Sequence, residues 1–327
     1  MHDQSAAPQP KVGVCVLTYD RNDQLAALLE ALSKLDRPDA DVRIVIVDNS
    51  STALARPVVD AFRARTTGYK WAWPIGYVSE PERGIAGARN RAVSECADVD
   101  FVVFIDDDEI PQTDWLASIC AVQAASKAPV VVGRVVPRFD SPPPKWIVDG
   151  EYFSRPRHAT GQRVCWAITG NVMIARALLT RYTPPFDERF NLSGGEDTHF
   201  FMRARDDGTL MVSADDAVVF EDIPEERTSW RWIMRREYRR GNTLSLCMRD
   251  LHPGVYRRLR RAVQSAYRIV QGVALLTLVP FGGRCALARA AHRLCLGAGL
   301  LTGLLGFRYE HYVHEHRHNL ARVHSRI

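Results

Sequence analysis

The sequence predicts an α/β fold whose first half is a parallel sheet with helices between its strands. Three observations lead there. Four short apolar runs, rich in β-branched and aromatic residues, read as strands buried on both faces. Leucines at helical spacing lie between the first two. An aspartate stands directly after the second run and a cluster of three after the fourth, at the strand ends where an open α/β sheet binds ligands.

Residues 12–17 form the first run, and the turn Thr18-Tyr19-Asp20-Arg21-Asn22 follows. Leu25, Leu28, Leu29, Leu32 and Leu35 then mark one face of a helix. Residues 43–47 are the second strand, ending in Asp48-Asn49-Ser50-Ser51. Ile75–Ser79 is the third, leading through Gly84-Ile85-Ala86-Gly87-Ala88-Arg89-Asn90 into a helix that reaches about Ala97. Residues 101–105 are the fourth, closed by Asp106-Asp107-Asp108. Strands alternating with helices imply right-handed βαβ units and hence a parallel sheet.

Beyond residue 110 the rhythm changes. Residues 130–136 are strand-like, Ser141-Pro142-Pro143-Pro144 is a stiff connector, and 164–169 is another apolar run ending in Gly170-Asn171. Asn191-Leu192-Ser193-Gly194-Gly195-Glu196-Asp197 opens a helix with Phe200, Phe201 and Ala204 on one face. Half the chain thus reads as a nucleotide-binding α/β unit, with a more irregular half completing the site.

A chain of 327 residues, 46% hydrophobic and 25% charged, can bury one large core or two smaller ones. Its seven cysteines are an odd number without C-x-x-C spacing, which argues for a reducing compartment and against a disulfide framework or a zinc site. The first ten residues are polar and are expected to be disordered, with no apolar segment of a cleaved signal. The net charge of +5 conceals an asymmetry, because residues 227–268 hold twelve arginines, no lysine and two acids, Glu237 and Asp250. Such a tract suits phosphate in nucleic acid, a lipid headgroup or a diphosphate substrate.

Two further apolar stretches, 269–281 and 294–307, are shorter than the roughly 20 residues a spanning helix needs. Arg284, Arg289, His292 and Arg293 lie between them. A helical hairpin in the cytoplasmic membrane interface fits this pattern, the other reading being two ordinary core helices.

Each chemistry-bearing group has two readings. Asp106 and Asp108 either form a solvated loop or project two carboxylates to one side, where Mg²⁺ or Mn²⁺ would relieve their repulsion and bridge to a diphosphate. Asp48 either shapes its turn or accepts a hydrogen bond from a nucleotide base. Arg89 either is a solvated arginine or reaches a phosphate or base from its helix start, in a segment that is not G-x-G-x-x-G. Glu196 and Asp197 either favour a first helical turn or, behind a glycine pair, supply a general base. The lone His199 carries little weight beside them. Trp230, Trp232, Arg235, Arg236, Arg239 and Arg240 sit on a helix whose arginines either snorkel or, for one or two, hold a departing diphosphate.

Taken in order, these segments resemble glycosyltransferase family 2. Val12-Gly13-Val14-Cys15-Val16-Leu17-Thr18-Tyr19-Asp20-Arg21 is similar to its opening strand, and Val47 to Ser51, Gly84 to Asn90, the aspartate triplet and Gly194-Gly195-Glu196-Asp197 follow in the family's order. The match spans residues 11 to about 245. Glu221-Asp222-Ile223-Pro224-Glu225-Glu226-Arg227-Thr228-Ser229-Trp230 further resembles the bacterial exopolysaccharide, succinoglycan-type glucosyltransferases.

The resemblance implies a GT-A fold (a Rossmann-like three-layer sandwich), a nucleotide-diphosphate sugar donor, a divalent metal and inversion at the anomeric carbon. It also implies roles. Thr18, Tyr19, Arg21 and Asp48 would line the nucleoside pocket with Arg89 beside it. Asp106 and Asp108 would be the D-x-D that holds ribose and metal, with Asp107 between them among the nucleotide-sugar-binding residues. Gly170 and Asn171 would be a loop facing sugar and acceptor, and Asp197 would be the base with Glu196 beside it. Apart from the resemblance, Arg235 and Arg236 are the arginines of the helix that would hold the diphosphate. Many members place a histidine ligand after the strand that here reads Ala217-Val218-Val219-Phe220. This chain has Glu221 and Asp222 instead: either a carboxylate, Glu221, joins Asp106 and Asp108 at the metal, or the metal is held by the acidic motif and the donor alone.

The expectation is an inverting hexosyltransferase, using UDP-hexose and a glycan or polyprenyl-diphosphate-linked acceptor, with no nucleic-acid partner. Its transferase domain would cover residues 11–245. Residues 246–327 would form a helical region on an anionic membrane surface, at the cytoplasmic face of the bacterial inner membrane. Two other classes remain. A nucleotidyltransferase shares the strand-end carboxylates but opens with a glycine-rich basic loop, which Thr18-Tyr19-Asp20-Arg21 is not. A non-catalytic assembly factor has no need of acids at all three carboxylate sites.

Overall fold

The computed structural model describes residues 9–68 and 73–310. The first eight residues of the expected disordered N-terminus, and the tail from 311, lie outside the described residues. In chain order the first elements are β1 (Lys11–Thr18), α1 (Asn22–Leu32), β2 (Asp41–Asp48), α2 (Arg56–Thr66), β3 (Ile75–Ser79) and α3 (Ile85–Glu95). Then come β4 (Phe101–Asp106), β5 (Glu109–Pro111), α4 (Trp115–Ser126), β6 (Val130–Phe139), α5 (Lys145–Asp149), β7 (Asn171–Ala175) and α6 (Arg176–Leu179). The last are α7 (Glu196–Asp206), β8 (Met211–Ile223), α8 (Trp230–Leu251), α9 (Val255–Leu276) and α10 (Val279–Leu305).

Two compact units are present. The first comprises residues through Val136, Pro156–Asp187 and Ala204–Glu221. Its sheet has the strand order β3-β2-β1-β4-β7-β6-β8-β5. The four predicted strands pair in parallel, as the βαβ rhythm requires. Val12, Val14 and Val16 pack with Ile44 and Ile46 against the leucines of α1 and against Val59, Phe62 and Trp115. On the opposite face, Cys15 meets the Ala92 carbonyl of α3 and Cys96, which caps that helix. Helices on both faces make a three-layer sandwich, which explains strands that are apolar throughout.

The later strands, beyond the change of rhythm at residue 110, are antiparallel. β7 is antiparallel to β4 and β6, and β5 is antiparallel to β8, so the sheet is mixed. The apolar run 164–169 forms no strand; a single bridge, Arg163 to Val212, touches it, and the strand starts at Asn171. Asn171 is fully buried, and its side chain explains that start. Its Nδ2 donates to the carbonyls of Arg134 at 3.0 Å and Ala217 at 2.8 Å, while its Oδ1 accepts from Trp115 Nε1 at 2.9 Å. One amide thereby joins β6, β7, β8 and α4. Gly133 faces it so closely that a Cβ there would overlap the amide.

The second unit comprises Pro137–Arg155, Glu188–Arg203 and the chain from Asp222. Within it α10 packs against both α8 and α9. Its contacts run through glycines: a Cβ on Gly299 would overlap the Tyr238 carbonyl, one on Gly303 the Asn242 carbonyl, and one on Gly241 the Leu296 carbonyl. Backbones this close gain dispersion contact that larger side chains would prevent. Polar bonds fix the register, with Tyr238 Oη donating to Thr302 Oγ1 at 2.9 Å and Ser265 Oγ to the Gly297 carbonyl at 2.8 Å. The division expected near residue 245 falls inside α8, whose buried face is committed to α10 from Tyr238 onward. The apolar stretch 269–281 crosses the α9–α10 turn, and 294–307 is the end of α10 and its cap. Among the described residues no helix is long and apolar enough to cross a membrane.

Asn171→Ala would leave a buried indole N–H and two buried carbonyls unpaired. A loss of about 3 kcal/mol is expected, read as a lower denaturant midpoint for the sheet unit. Gly299→Val must push α8 and α10 apart, and is expected to cost about 3 kcal/mol, read as a lower melting temperature of the helical signal. An unchanged midpoint in either variant contradicts the corresponding contact.

Candidate active site

In the order β3-β2-β1-β4, β1 is followed by strands laid to one side and then by β4 on the other. The crevice between the carboxyl ends of β1 and β4 is therefore the topological switch point, where open α/β sheets bind ligands. Thr18 ends β1, and the aspartate triplet ends β4. The buried Thr18 hydroxyl donates to Asp107 Oδ2 at 2.9 Å. Arg21 Nη1 donates to Asp107 Oδ1 at 2.9 Å and to Asp108 Oδ2 at 3.1 Å. Burial raises the proton affinity of Asp107, while Arg21 beside it works in the opposite direction.

Asp106 occupies a different environment. Its side chain is 47% exposed, yet it is set deep at the strand end, with Arg89 Nη2 3.9 Å from Oδ1. Desolvation pushes its carboxyl up to about 6; Arg89 opposes this, while Asp108, Asp107 and Glu221 reinforce it. Glu109, buried and absent from the sequence-derived set, accepts the Asp106 backbone N–H at 3.1 Å through Oε2. Gly170 lies against the same group: a Cβ there would stand 2.8 Å from Glu109 Oε1 and 3.1 Å from Asp106 Oδ2. Glycine therefore lets this loop approach the carboxylates. Glu109 pairs in register with Glu221, which brings a fourth chain segment to the cluster.

The donor set fits a divalent cation. Hard carboxylate oxygens converge from β4, β5 and β8, and Asp106 holds a proton more tightly than an isolated aspartate even with Arg89 beside it. Glu221 and Asp222, adjacent in sequence, divide their work. The charge of Glu221 reaches Asp106, whereas Asp222 forms a two-point ion pair with Arg138 at 2.6 and 2.8 Å.

Other expected site residues have partners of their own. Tyr19 lies under the Arg83 guanidinium at 5.0 Å. Asp48 has no exposed surface; it accepts from the backbone N–H groups of Ser50 and Ala55 and from Tyr77 Oη, all at 2.9 Å. The two backbone bonds are the turn-forming role; burial, and then the Asp48 carboxylate to which it donates, push the Tyr77 phenol up to about 12. Asn171, expected on a loop facing the sugar, instead begins β7 with its amide engaged inside the sheet.

In the second unit, Glu196 and Asp197 open α7 directly after Gly194 and Gly195, whose φ values of 72° and 99° suit glycine. A Cβ on Gly195 would overlap Thr243 of α8, so the turn is pressed onto that helix. Glu196 is buried, while Asp197 is partly exposed, its Oδ1 accepting the Thr198 backbone N–H at 2.5 Å. His199 is buried with Nε2 2.8 Å from Asp250 Oδ2, and Arg189 grips the same aspartate. Arg235 is exposed. Arg236 is held by the Tyr152 carbonyl and by Glu237, and lies over Phe153 at 4.7 Å and Trp232 at 5.4 Å. Those partners give Arg236 a place in the helical unit's aromatic cluster.

Known proteins share the fold that carries this site. Glycosyl transferase family 2 matches residues 13–182. The succinoglycan biosynthesis protein ExoM of Rhizobium meliloti (strain 1021) is 30% identical over 91% of this chain and 93% of that protein. Among solved structures, the mannosyltransferase PcManGT from Pyrobaculum calidifontis in complex with GDP-Man and Mn²⁺ superposes with a TM-score of 0.62, at 21% identity over 92% of this chain and 89% of that one. S. aureus TarS 1–349 in complex with UDP-GlcNAc gives 0.53, at 18% identity over 91% and 93%. These structures share the GT-A fold, with a C-terminal helical extension present in this chain. With the family's segments in order along the sheet and a full-length relative, the chain belongs to glycosyl transferase family 2.

Proposed function

We propose that the protein is an inverting, metal-dependent hexosyltransferase. It would move a sugar from a nucleotide diphosphate, UDP-hexose by preference, to a glycan or polyprenyl-diphosphate-linked acceptor in bacterial polysaccharide or glycolipid synthesis. The observation that carries the reading is the carboxylate cluster at the β1–β4 switch point, where Asp106 keeps a raised proton affinity despite Arg89. Relatives support it: one is a succinoglycan biosynthesis protein, and two structural neighbours are complexes with GDP-Man and Mn²⁺ and with UDP-GlcNAc.

In this mechanism Thr18 and Arg21 fix Asp107 so that the triplet keeps its shape while a donor binds. Asp106 and Asp108, with Glu221, would hold Mg²⁺ or Mn²⁺, which when bound supplies positive charge against the diphosphate. Asp197 takes the proton from the acceptor hydroxyl, whose oxygen attacks the anomeric carbon opposite the departing diphosphate and inverts it. The partly exposed position of Asp197 behind two glycines leaves room for that hydroxyl. The enzyme would work as a peripheral or monotopic protein at the cytoplasmic face of the inner membrane.

Incubation with UDP-sugars, metal and acceptor should release UDP. Pyrophosphate release would instead identify a nucleotidyltransferase, and neither product despite tight nucleotide binding an assembly factor. Asp197→Asn is expected to lower transfer by at least about 10²-fold while donor binding persists in calorimetry. Turnover within a few-fold of the parent would remove Asp197 as base.

The Asp106 carboxyl at about 6 sets a pH dependence. Its folded value lies above the ordinary one of 3.8, so in the metal-free protein this group favours the fold at low pH and loses that contribution as pH rises through about 6. A metal ligand must shed the same proton, so Mn²⁺ affinity should fall by about tenfold per pH unit below 6. Calorimetric titration at about pH 5 and about pH 7.5 measures the slope, and equal affinities would exclude Asp106 as a ligand.

A further inference from the structure

We propose that the outward face of α9, with the turn after it, is an in-plane docking surface for an anionic lipid bilayer. This rests on the reading of the chain as a membrane-associated transferase, and adds the contacting surface, its orientation and its lipid chemistry.

The amphipathicity of α9 is reversed relative to the rest of the protein. Its side against α10 carries Ser265 and Gly272, both buried, and Ile269, which abuts Gly297. At 3.6 residues per turn, Tyr256, Leu259, Val263, Tyr267 and Val270 fall on the opposite side. Their exposures are 78%, 61%, 59%, 60% and 65%. In the following turn Leu278 is 51% and Phe281 90% exposed, which extends the apolar strip beyond the helix end. A soluble helix directs its large apolar side chains to a core, whereas this one directs them to the surroundings. The strip is about 30 Å long, ample for a docking surface.

Charge selects the occupant. From residue 251 to 309 the sequence has no acid and nine arginines. Arg257, Arg258 and Arg260 are exposed within the first turns of α9, and Arg257, Arg260 and Arg268 lie along one border of the strip by the same periodicity. A second copy would press like charges together, and nucleic acid offers phosphate without hydrocarbon. An anionic bilayer offers headgroups to the guanidinium groups and acyl chains to the valines and leucine. Tyr256 and Tyr267 suit the boundary between the two. Since no described helix is long and apolar enough to cross, the helix lies in the interface plane.

Flotation of the full chain with phosphatidylcholine vesicles containing about a quarter phosphatidylglycerol should show binding that weakens with salt and is absent on phosphatidylcholine alone. Combining Leu259→Glu, Val263→Glu and Val270→Glu should weaken binding by at least about tenfold, with helical circular dichroism and UDP binding unchanged. Arg257→Gln with Arg258→Gln and Arg260→Gln keeps the apolar strip and should remove the lipid charge preference. Val263→Trp and Val270→Trp, tested singly, should be quenched to equal depth by brominated lipids. Unaltered vesicle binding by the glutamate triple overturns this surface while leaving membrane association standing. Unequal quenching depths overturn the in-plane orientation. A dimer that the triple dissociates, with no vesicle binding by the parent, assigns the face to a second copy and overturns both readings. UDP release reports separately on the transferase assignment.

Discussion

The hydrogen bond from the Thr18 hydroxyl to the buried Asp107 carboxylate sets the spacing of two strand ends, and the site is arranged around it. Like charges at adjacent positions would otherwise splay the β4 terminus. With Arg21 bridging Asp107 and Asp108, the middle aspartate is spent on architecture, and Asp106 is left half exposed in the crevice. Glu109 reinforces this from behind by accepting the Asp106 backbone N–H, so the chain direction at the strand end is fixed by side chains as well as by the sheet. The cluster is preorganised in the sense that its repulsion is contained before any cation arrives.

Much of the first unit was legible because burial and period are local properties. The third strand lies where its apolar run indicated, and Leu25, Leu28, Leu29 and Leu32 all reach the core. The antiparallel half was less legible, since strand direction there depends on partners far away in sequence. Asn171 shows the reason at one residue. After a glycine it reads as a turn, but its three partners come from residues 115, 134 and 217, and only the fold assembles them.

Within the acidic clusters the residue types were visible and their environments were not. Glu109 follows the triplet directly, yet nothing in a run of four acids tells that it and Asp107 are the buried ones. Glu221 and Asp222 carried a usable signal: neighbours on a strand point to opposite faces, so both could not serve one site. The arginine tract similarly hides a division of labour, with Arg236 enclosed by aromatic rings and a carbonyl while Arg235 is exposed.

The glycine contacts between α8 and α10 carry a consequence for the solvent the helices can tolerate. Bundles held by large apolar side chains owe much of their cohesion to water, and loosen when hydrocarbon replaces it. Where carbonyl meets Cα, as at Gly299 and Tyr238 or Gly303 and Asn242, cohesion comes from backbone contact and from the polar bonds of Thr302. Neither source requires an aqueous exterior. The three helices can therefore exchange the medium around them without exchanging their own packing.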